Sequence, residues 1–401
     1  MLIKNYHLTY CTNIHPGESW SAVFESLKEY VLPIKYSLSP EMPFGIGLRL
    51  SNLASIELLH SDNLYQFKSW LKKNKLYVFT INGFPYGGFH SEEVKDAVHK
   101  PDWTCLERVE YTQRLCHILA DLLPDGMDGG ISTSPLSYKP WFDENEESMD
   151  ETFRTGSKHF LKVIETLHHI KSDTGKIIHI DMEPEPDGLI ENTDETIHFF
   201  TQWLVPMGVK YFMDQLDVDA EEAKNIVSTH FQVCYDVCHF AVAYETPQST
   251  FSRLKEAGIK IGKIQISAAL KADLTQKRNE LALELAPFME STYLHQVIER
   301  DAENNLFHYD DLPFAMEQIN KAEAVEWRTH FHVPLFVNRF GMLQSTQDEI
   351  KVVLDILKEE KLTNHLEIET YTWEVLPDEL KISLDLSIER EMSWVLKHLN
   401  K

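Results

Sequence analysis

Short apolar runs rich in β-branched residues alternate along the chain with stretches that carry apolar residues at helical spacing. This alternation predicts repeated β/α units with parallel strands. The segments predicted as strands are 6–12, 45–50, 76–82, 129–135, 176–183, 230–236, 261–267 and 365–371. Eight strands in a chain of 401 residues predict an α/β protein with a (β/α)8 barrel, or TIM barrel, as a single domain over residues 1–401.

Two connections are longer than a β/α unit needs. Residues 83–114 follow the third predicted strand, and residues 271–326 follow the seventh. A ninth apolar run, 328–336, lies between the second insertion and the last strand. Loops after barrel strands lie on the C-terminal face, where active sites of this architecture form. We therefore expect both insertions to shape a pocket there.

The helix with the clearest limits precedes the last strand. Thr346 is its predicted N-cap, and Glu349, three residues later, completes a capping box. The apolar stripe that follows at helical spacing consists of Ile350, Val353, Leu354 and Leu357. We interpret the stripe as core packing.

Charge and composition narrow the classes of partner. The chain has 63 acidic and 38 basic residues, a formal charge of −25, and no stretch dense in lysine or arginine, so nucleic acid is not an expected partner. No apolar run is long enough to span a membrane and no export signal is evident, so we expect no membrane insertion. Five scattered cysteines indicate a reducing compartment, and we predict a cytoplasmic protein. The oligomeric state stays open.

Polar residues occur where two of the predicted strands end. Glu183 ends the fifth strand, and Glu185 follows it between two prolines, which cannot continue a sheet ladder. Asp236 ends the sixth strand, and His239 lies about one helical turn later. These residues could bind metal or exchange protons. The alternatives are a solvated Pro/Glu loop and a plain Asp–His hydrogen bond.

Two further pairs fall at strand spacing. His330 and His332 share one face of their run, and two imidazoles on one face suit a transition metal better than Mg²⁺ or Ca²⁺. The alternative is one surface histidine and one bonded to a carbonyl. Glu367 and Glu369 also share a face. We favour Glu369 as the site carboxylate because it lies nearer the C-terminal rim, with Glu367 as the alternate.

Other strand-end residues are candidates for binding substrate rather than metal. Gln265 ends the seventh strand, where its amide can hydrogen-bond a ligand. The remaining candidates are His330, Glu185, Arg49 and Asn82. Carboxylates from three strands would repel one another where a barrel closes, so a cation is the simplest group to neutralise them. We expect one divalent metal ion, or two, of Zn²⁺, Mn²⁺ or Mg²⁺.

The segments "CYDVCHF" on the sixth strand and "LEIETY" on the eighth resemble the xylose isomerase-like TIM barrels. That superfamily includes sugar isomerases and epimerases, and the metal-dependent endonucleases that cut at abasic DNA sites. The resemblance implies that Asp236, His239 and His332 are metal ligands. It also implies that Glu183 and Glu369 are the metal-binding carboxylates of the fifth and eighth strands.

Two positions depart from the superfamily pattern. His330 stands where the aspartate of an Asp-x-His pair is expected, and Gln265 stands where a seventh-strand metal histidine is expected. The first- and third-strand histidines of the three-metal endonucleases also have no match here. Together with Gln265, this implies a site for one or two ions rather than three. With the acidic charge, these departures also speak against an endonuclease.

A second resemblance covers nearly the whole chain. The segments "INGFPYGGFH", "PDWTCLERVEYT", "STSPLSYK", "EPEPDG", "HFHVPLF" and "ETYTWEVLP" are together similar to the EboE-like metabolite traffic proteins of bacterial gene clusters. This likeness implies a TIM barrel whose partner is a small-molecule metabolite.

The favoured hypothesis is a metal-dependent sugar isomerase or epimerase acting on a small sugar-like or polyol-like metabolite. Glu183 and Glu369, on opposite walls, would hold metal and exchange the proton on either face of the substrate carbon. One alternative is a non-catalytic metabolite-binding or trafficking protein. Another is a metal-dependent phosphoester hydrolase, which would need a basic phosphate pocket such as Arg49 or Arg339.

Overall fold

The computed structural model, which describes residues 1–88, 94–142, 146–321, 323–374, 376, 381 and 383–400, is built around a parallel sheet. A short strand, β1 (Leu2–Ile3), pairs antiparallel with the first barrel strand. The barrel strands are β2 (Tyr6–Tyr10), β3 (Phe44–Arg49), β4 (Leu76–Asn82), β5 (Gly129–Thr133), β6 (Ile178–Met182), β7 (Phe231–Asp236), β8 (Ile261–Ile266) and β15 (His365–Ile368). Each overlaps one of the segments predicted as strands.

The barrel strands are neighbours in chain order, from β3 through β8 to β15 and then β2. A parallel bridge between Cys11 and Gly47 brings β2 against β3 and closes the ring. Thr9 supports this seam, because its hydroxyl donates to Gly45 O (2.8 Å) and accepts from Gly47 N (3.0 Å). Parallel strands in sequential order around a closed ring define a (β/α)8 barrel, so the predicted fold class is confirmed.

The insertion after β8 forms a second, antiparallel sheet. Its strands are β9 (Ala269–Asp273), β10 (Val297–Asp301), β11 (Leu306–Tyr309), β12 (Ala324–His332), β13 (Arg339–Phe340) and β14 (Leu343–Ser345). They lie in the order β11-β10-β12-β9-β14-β13. The ninth apolar run therefore belongs in part to β12, which ends at His332. The insertion after β4 also exists, although its residues 89–93 lie outside the described part of the chain.

Helices surround the barrel. Those before β7 are α1 (Trp20–Ser26), α2 (Leu32–Leu38), α3 (Asn52–Leu58), α4 (Asn63–Lys73), α5 (Leu106–Leu122), α6 (Glu146–Thr174), α7 (Thr193–His198), α8 (Val205–Leu216) and α9 (Ala220–His230). Those after β7 are α10 (Val237–Val242), α11 (Pro247–Glu256), α12 (Arg278–Leu285), α13 (Leu312–Gln318), α14 (Gln347–Glu359) and α15 (Leu384–Leu399). None of the described helices is long and apolar enough to cross a bilayer.

The helix predicted before the last strand is α14, but the capping box predicted at its start does not form. Thr346 is the N-cap residue, yet its hydroxyl accepts from the amide of Ala269 (2.8 Å) and makes no cap hydrogen bond. Glu349 instead lies 3.7 Å from the guanidinium of Arg328. The threonine thus joins the helix to β9. The predicted apolar stripe is buried, as expected: Ile350, Val353, Leu354 and Leu357.

The barrel interior contains charge as well as apolar side chains. Lys263 Nζ lies 2.6 Å from Glu367 Oε2 and 3.0 Å from Ser132 Oγ, and neither charged side chain has any exposed surface. Gly47 leaves room for this pair, because a Cβ there would lie 1.8 Å from Glu367 Oε1. The ion pair lies one layer below the strand ends that carry the candidate site.

Candidate metal centre

The backbone fixes three carboxylates at the C-terminal rim of the barrel. Glu183 follows β6, and its amide donates to Thr133 O (3.0 Å). Glu369 follows β15, and its amide donates to Ile266 O (3.1 Å). Each bond extends a strand ladder by one residue. Asp236 is the last residue of β7 and the N-cap of α10. All three carboxylates are therefore held in place by regular secondary structure.

These carboxylates meet a group of histidines and one cysteine. Candidate ligand atoms lie within 4.8 Å of one another in four buried groups, which are Glu183–Asp236–Glu369, Asp236–His239–His332, Glu185–His239–His330 and Cys238–His330–His332. Asp236, His239, His330 and His332 each belong to two groups, so the groups form one continuous cluster. Sequence reasoning favoured five of these residues as metal ligands, and the structure brings those five together.

Hydrogen bonds orient the imidazoles of β12. His332 Nδ1 lies 2.9 Å from the carbonyl of Glu369, and His330 Nδ1 lies 2.9 Å from Gln296 Oε1. Because both partners are oxygens that only accept, each Nδ1 carries the proton. Each Nε2 is then left with its lone pair, and neither Nε2 has a partner although both are buried. Metal-binding histidines usually show the same arrangement, in which one ring nitrogen donates to an oxygen and the other is free to bind the metal.

His239 is oriented in the same way. Its Nδ1 lies 3.0 Å from the carbonyl of Pro184, and its Nε2 lies 4.0 Å from Asp236 Oδ1. Burial lowers the pKa of His239 and of both β12 histidines, that of His332 to about 4. The three rings are therefore neutral at ordinary pH and can donate lone pairs to a cation.

The three rim carboxylates differ in their hydrogen bonds. Glu369 accepts from Asn13 Nδ2 (2.7 Å), from Asn82 Nδ2 (3.1 Å) and from the amide of Gln265. Gln265 is itself held at its other end, because Cys234 Sγ lies 2.6 Å from its Oε1. Both ends of this side-chain amide are thus engaged within the protein. Gln265 acts on Glu369 and does not line the cavity.

Asp236 and Glu183 have unused oxygens. Asp236 Oδ1 accepts from Ser267 Oγ (2.6 Å) and from the amide of His239 (3.1 Å), whereas Oδ2 has no partner. Glu183 accepts no hydrogen bond at Oε2, and its side chain is only 3% exposed. Glu183 is therefore a buried carboxyl with an oxygen available to a ligand.

Burial and charge shift the pKa values of these carboxyls. Burial, together with repulsion from Glu369 and Asp236, raises the pKa of Glu183 well above its usual value. Burial and the same aspartate raise the pKa of Glu369 to about 8. Burial alone would also raise the pKa of Asp236, but attraction to His239 and His332 and its hydrogen bonds lower it. Glu369 therefore holds a proton near neutral pH unless a cation replaces it.

A divalent cation fits this donor set. Buried polar atoms without a partner are rare, and a buried carboxylate needs a compensating charge. The buried ligand atoms of this cluster that have no hydrogen-bond partner are Glu183 Oε2, Asp236 Oδ2, His330 Nε2 and His332 Nε2, whereas Glu185 Oε1 lies 3.4 Å from His99 Nε2. Carboxylate oxygens combined with neutral imidazoles are typical ligands of zinc and manganese.

A cavity of about 630 Å³, counted to its open mouth, lies over the cluster. Its lining includes the predicted residues Asn82, Glu183, Glu185, His239, His330 and Glu369. The remaining lining residues are Asn13, Phe84, Pro85, Val94, Lys95, Val98, His99, Tyr293, Leu294, Gln296 and Tyr371. Both insertions contribute to the lining, as the lengths of these loops predicted.

Sequence reasoning missed Asn13 and His99. Asn13 lies just beyond the first predicted strand, so the strand-end rule that selected Asn82 could have found it. His99 Nε2 lies 3.4 Å from Glu185 Oε1, and burial lowers the pKa of His99 to about 3. His99 belongs to an insertion without a strand register, and no spacing in the sequence indicates its position.

The structure does not bring Arg49 to the cluster. Its guanidinium bonds Glu18 Oε1 (2.8 Å), Gly17 O (3.2 Å) and the carbonyl of Gly87, and it does not line the cavity. Arg49 therefore ties together the loops that follow β2, β3 and β4. We no longer consider it a substrate-binding residue.

No family model and no curated protein matches the chain. Among solved structures, it is similar to a xylose isomerase-like TIM barrel protein from Mycobacterium smegmatis in complex with magnesium (11% identity, 99% of this chain and 98% of that one, TM-score 0.49). It is also similar to the probable 3-DHS dehydratase AsbF from Bacillus anthracis (11%, 99% and 99%, 0.46) and to a D-psicose 3-epimerase with D-fructose (11%, 99% and 100%, 0.46). At such identities and TM-scores, these likenesses carry no inference about activity, and the barrel assignment stands on the strand order.

Proposed function

We propose that this protein is a metal-dependent TIM-barrel enzyme that acts on a small sugar-like or polyol-like metabolite, with isomerase or epimerase chemistry. The observation that carries the proposal is the set of buried, unpartnered carboxylate and imidazole atoms beneath an open cavity. A divalent cation would neutralise a cluster of this kind, and the cavity would give a small molecule access to it.

The residues that would hold one divalent ion, or two, are Glu183, Asp236, His239, His332 and Glu369. Their donor set suits Zn²⁺ or Mn²⁺, with Mg²⁺ as the third candidate. A bound ion would polarise a carbonyl or hydroxyl oxygen of the substrate and so acidify the neighbouring C–H bond.

Glu183 and Glu369 are the proposed proton-transfer groups. Glu183 has an oxygen without a hydrogen-bond partner, and burial raises its pKa, so this carboxyl is a candidate for exchanging a proton with the substrate. Glu369 comes from a different strand and is held by three side-chain amides. One carboxylate would remove the proton from the substrate carbon, and the other carboxyl would return a proton to the opposite face.

Solvent-deuterium exchange tests this proposal. Metal-loaded protein should place deuterium on the carbon next to the carbonyl of a ketose substrate, and Glu183→Gln should slow the exchange at least about 100-fold. Glu299→Gln is the matched control, since Glu299 is a buried glutamate of the second sheet. Equal exchange by Glu183→Gln and wild type would contradict the proton-transfer role.

A second candidate is a non-catalytic metabolite-binding or trafficking protein, in keeping with the EboE-like resemblance. Gln265 favours it, because both ends of its amide are engaged where the superfamily pattern expects a metal histidine. Metal-replete protein that binds a metabolite tightly but exchanges no deuterium with it would support this candidate over the enzyme.

Phosphoester hydrolysis has less support. It would need a basic group beside the cluster, but Arg49 is bonded elsewhere. Arg339 is exposed on β13 and does not line the cavity. We do not carry this hypothesis further.

A further inference from the structure

The cavity over the metal centre has two chemically different halves. Its floor consists of the carboxylate and imidazole groups described above. The lining also contains six apolar or aromatic residues, which we call the rim: Phe84, Val94, Val98, Tyr293, Leu294 and Tyr371. The polar lining residues that the insertions contribute are Lys95, His99 and Gln296. Buried hydroxyl groups of a ligand need hydrogen-bond partners, which the floor offers, whereas the apolar rim is suited to apolar groups of the ligand.

The rim is a built structure in which the two insertions meet. The amides of Val94 and Lys95 both lie within hydrogen-bond distance of Thr292 O, at 2.8 and 3.2 Å. Val94 and Tyr293 form a small apolar cluster separate from the main core, with Val98 and Tyr371 packed against it. The two insertions thus place apolar side chains next to a polar site.

Charge restricts what can enter. The floor has three carboxyl groups, from Glu183, Glu185 and Glu369. Among the lining residues that the structure describes, the one lysine or arginine is Lys95, and it is already partnered. A phosphate or carboxylate on the ligand would therefore find no lysine or arginine of the described lining free to bind it, and it would meet apolar side chains at the rim.

We propose that the ligand of this site is a neutral amphiphile, with a polyol or hydroxycarbonyl head at the floor and an apolar ring or chain between the two insertions. The identity of the head rests on the proposed function, whereas the apolar group rests on the rim alone.

Three probes with the same head test the proposal by calorimetry on full-length, Mn²⁺-supplemented protein. They are xylitol, its 1-O-benzyl ether and its phosphate monoester. Burial of the benzyl group against the rim should make the ether bind at least about tenfold more tightly than xylitol. The phosphate should bind no more tightly than xylitol. Equal affinity for xylitol and the ether, no measurable binding of the ether, or tightest binding of the phosphate would each overturn the proposal.

Variants at the rim locate the effect. Tyr293→Ala and the milder Val98→Ser should remove most of the advantage of the ether and leave the affinity for Mn²⁺ unchanged. Tyr65→Ala is the matched control, because Tyr65 is 74% exposed on α4 and does not line the cavity. If both rim variants folded and kept the full advantage, the rim assignment would be wrong.

Titration of the same samples with Mn²⁺ alone separates this inference from the proposed function. Failure to bind Mn²⁺ while the ether is still preferred would overturn the metal centre and leave the apolar subsite standing. Normal Mn²⁺ binding without preference for the ether would overturn the apolar subsite and leave the metal centre standing.

Discussion

Two layers of buried charge, one above the other in the same barrel, are neutralised differently. In the lower layer, Lys263 and Glu367 lie 2.6 Å apart, and Ser132 completes the pair. In the upper layer, no ion pair among the described residues joins Glu183, Asp236 or Glu369 to a lysine or arginine. The positively chargeable nitrogens paired with them are the two of His239, at 3.9 Å from Glu183 and 4.0 Å from Asp236, and burial has lowered the pKa of this ring.

The difference separates a structural device from a functional one. Burial disfavours an uncompensated carboxylate in both layers. The lower layer is balanced by the chain itself, whereas the upper layer is balanced only by protons or by an ion supplied from outside. Buried charge that the protein does not balance, next to an open cavity, is therefore the clearest mark of the site.

Breaking the lower layer should have the largest effect on stability. Lys263→Met leaves Glu367 buried without its partner, so we expect the free energy of unfolding to fall by about 3–5 kcal/mol. Urea unfolding followed by circular dichroism measures this change. The double variant Lys263→Met/Glu367→Leu should recover most of the loss. A loss below about 1 kcal/mol in the single variant would mean that the pair is not the balanced unit described here.

Breaking the upper layer should affect metal binding far more than folding. Asp236→Asn removes a carboxylate shared by two of the ligand groups, so metal affinity should fall at least about 100-fold, by about 3 kcal/mol. Titration of chelator-stripped protein with Zn²⁺ or Mn²⁺ measures it. Asp181→Asn is the control, since Asp181 is a buried aspartate bonded to His179 within β6. Affinities that fell equally in both variants would contradict the site.

The pH dependence should separate metal-free from metal-loaded protein. Because the pKa of Glu369 is raised from 4.5 to about 8, the metal-free fold binds more protons than the unfolded chain over that interval. The contribution of protonated Glu369 to the stability of the metal-free protein is therefore lost as pH rises from about 4.5 to 8. An ion must displace this proton, so metal affinity should rise about tenfold between pH 6 and 7 and less steeply as the pH approaches 8.

His332 should not compete with the metal in that range, because burial lowers its pKa to about 4. Thermal unfolding and metal titration at several pH values check both trends. Metal affinity that did not change between pH 6 and 8 would show that no carboxyl proton is displaced.

The amides behind Glu369 should produce the smallest effect. Gln265→Leu removes one of the three side-chain amides that hold this carboxylate, so metal affinity should fall about tenfold. Gln232→Leu, a change near the opposite end of the barrel, should leave the affinity unchanged. If Gln265→Leu bound metal as well as wild type does, the amides would be structural supports without influence on the site.

Much of this architecture follows from the sequence because strands and their ends have a simple pattern. The period of the apolar runs predicted all eight barrel strands, and parallel strands must bring their C-terminal ends together, so Glu183, Asp236 and Glu369 were expected to meet. His330 and His332 were expected to share a face from their spacing alone.

The remaining features depend on tertiary contacts that spacing does not encode. Thr346 occupies the predicted N-cap position, but the amide of Ala269, distant in sequence, takes its hydroxyl. Arg49 ends a strand as predicted, yet Glu18 draws its guanidinium away from the cavity. Lys263 shares a strand face with Gln265, but its pairing with Glu367 becomes visible only when β8 lies beside β15.

The most direct test of the central claim is anomalous diffraction from crystals soaked in Mn²⁺ or Zn²⁺. The account predicts a peak enclosed by Glu183, Asp236, Glu369, His239 and His332, with at least three of their ligand atoms about 2.0–2.3 Å from the ion. A map without a peak there, in which water or neighbouring side chains satisfy the three carboxyls, would contradict it.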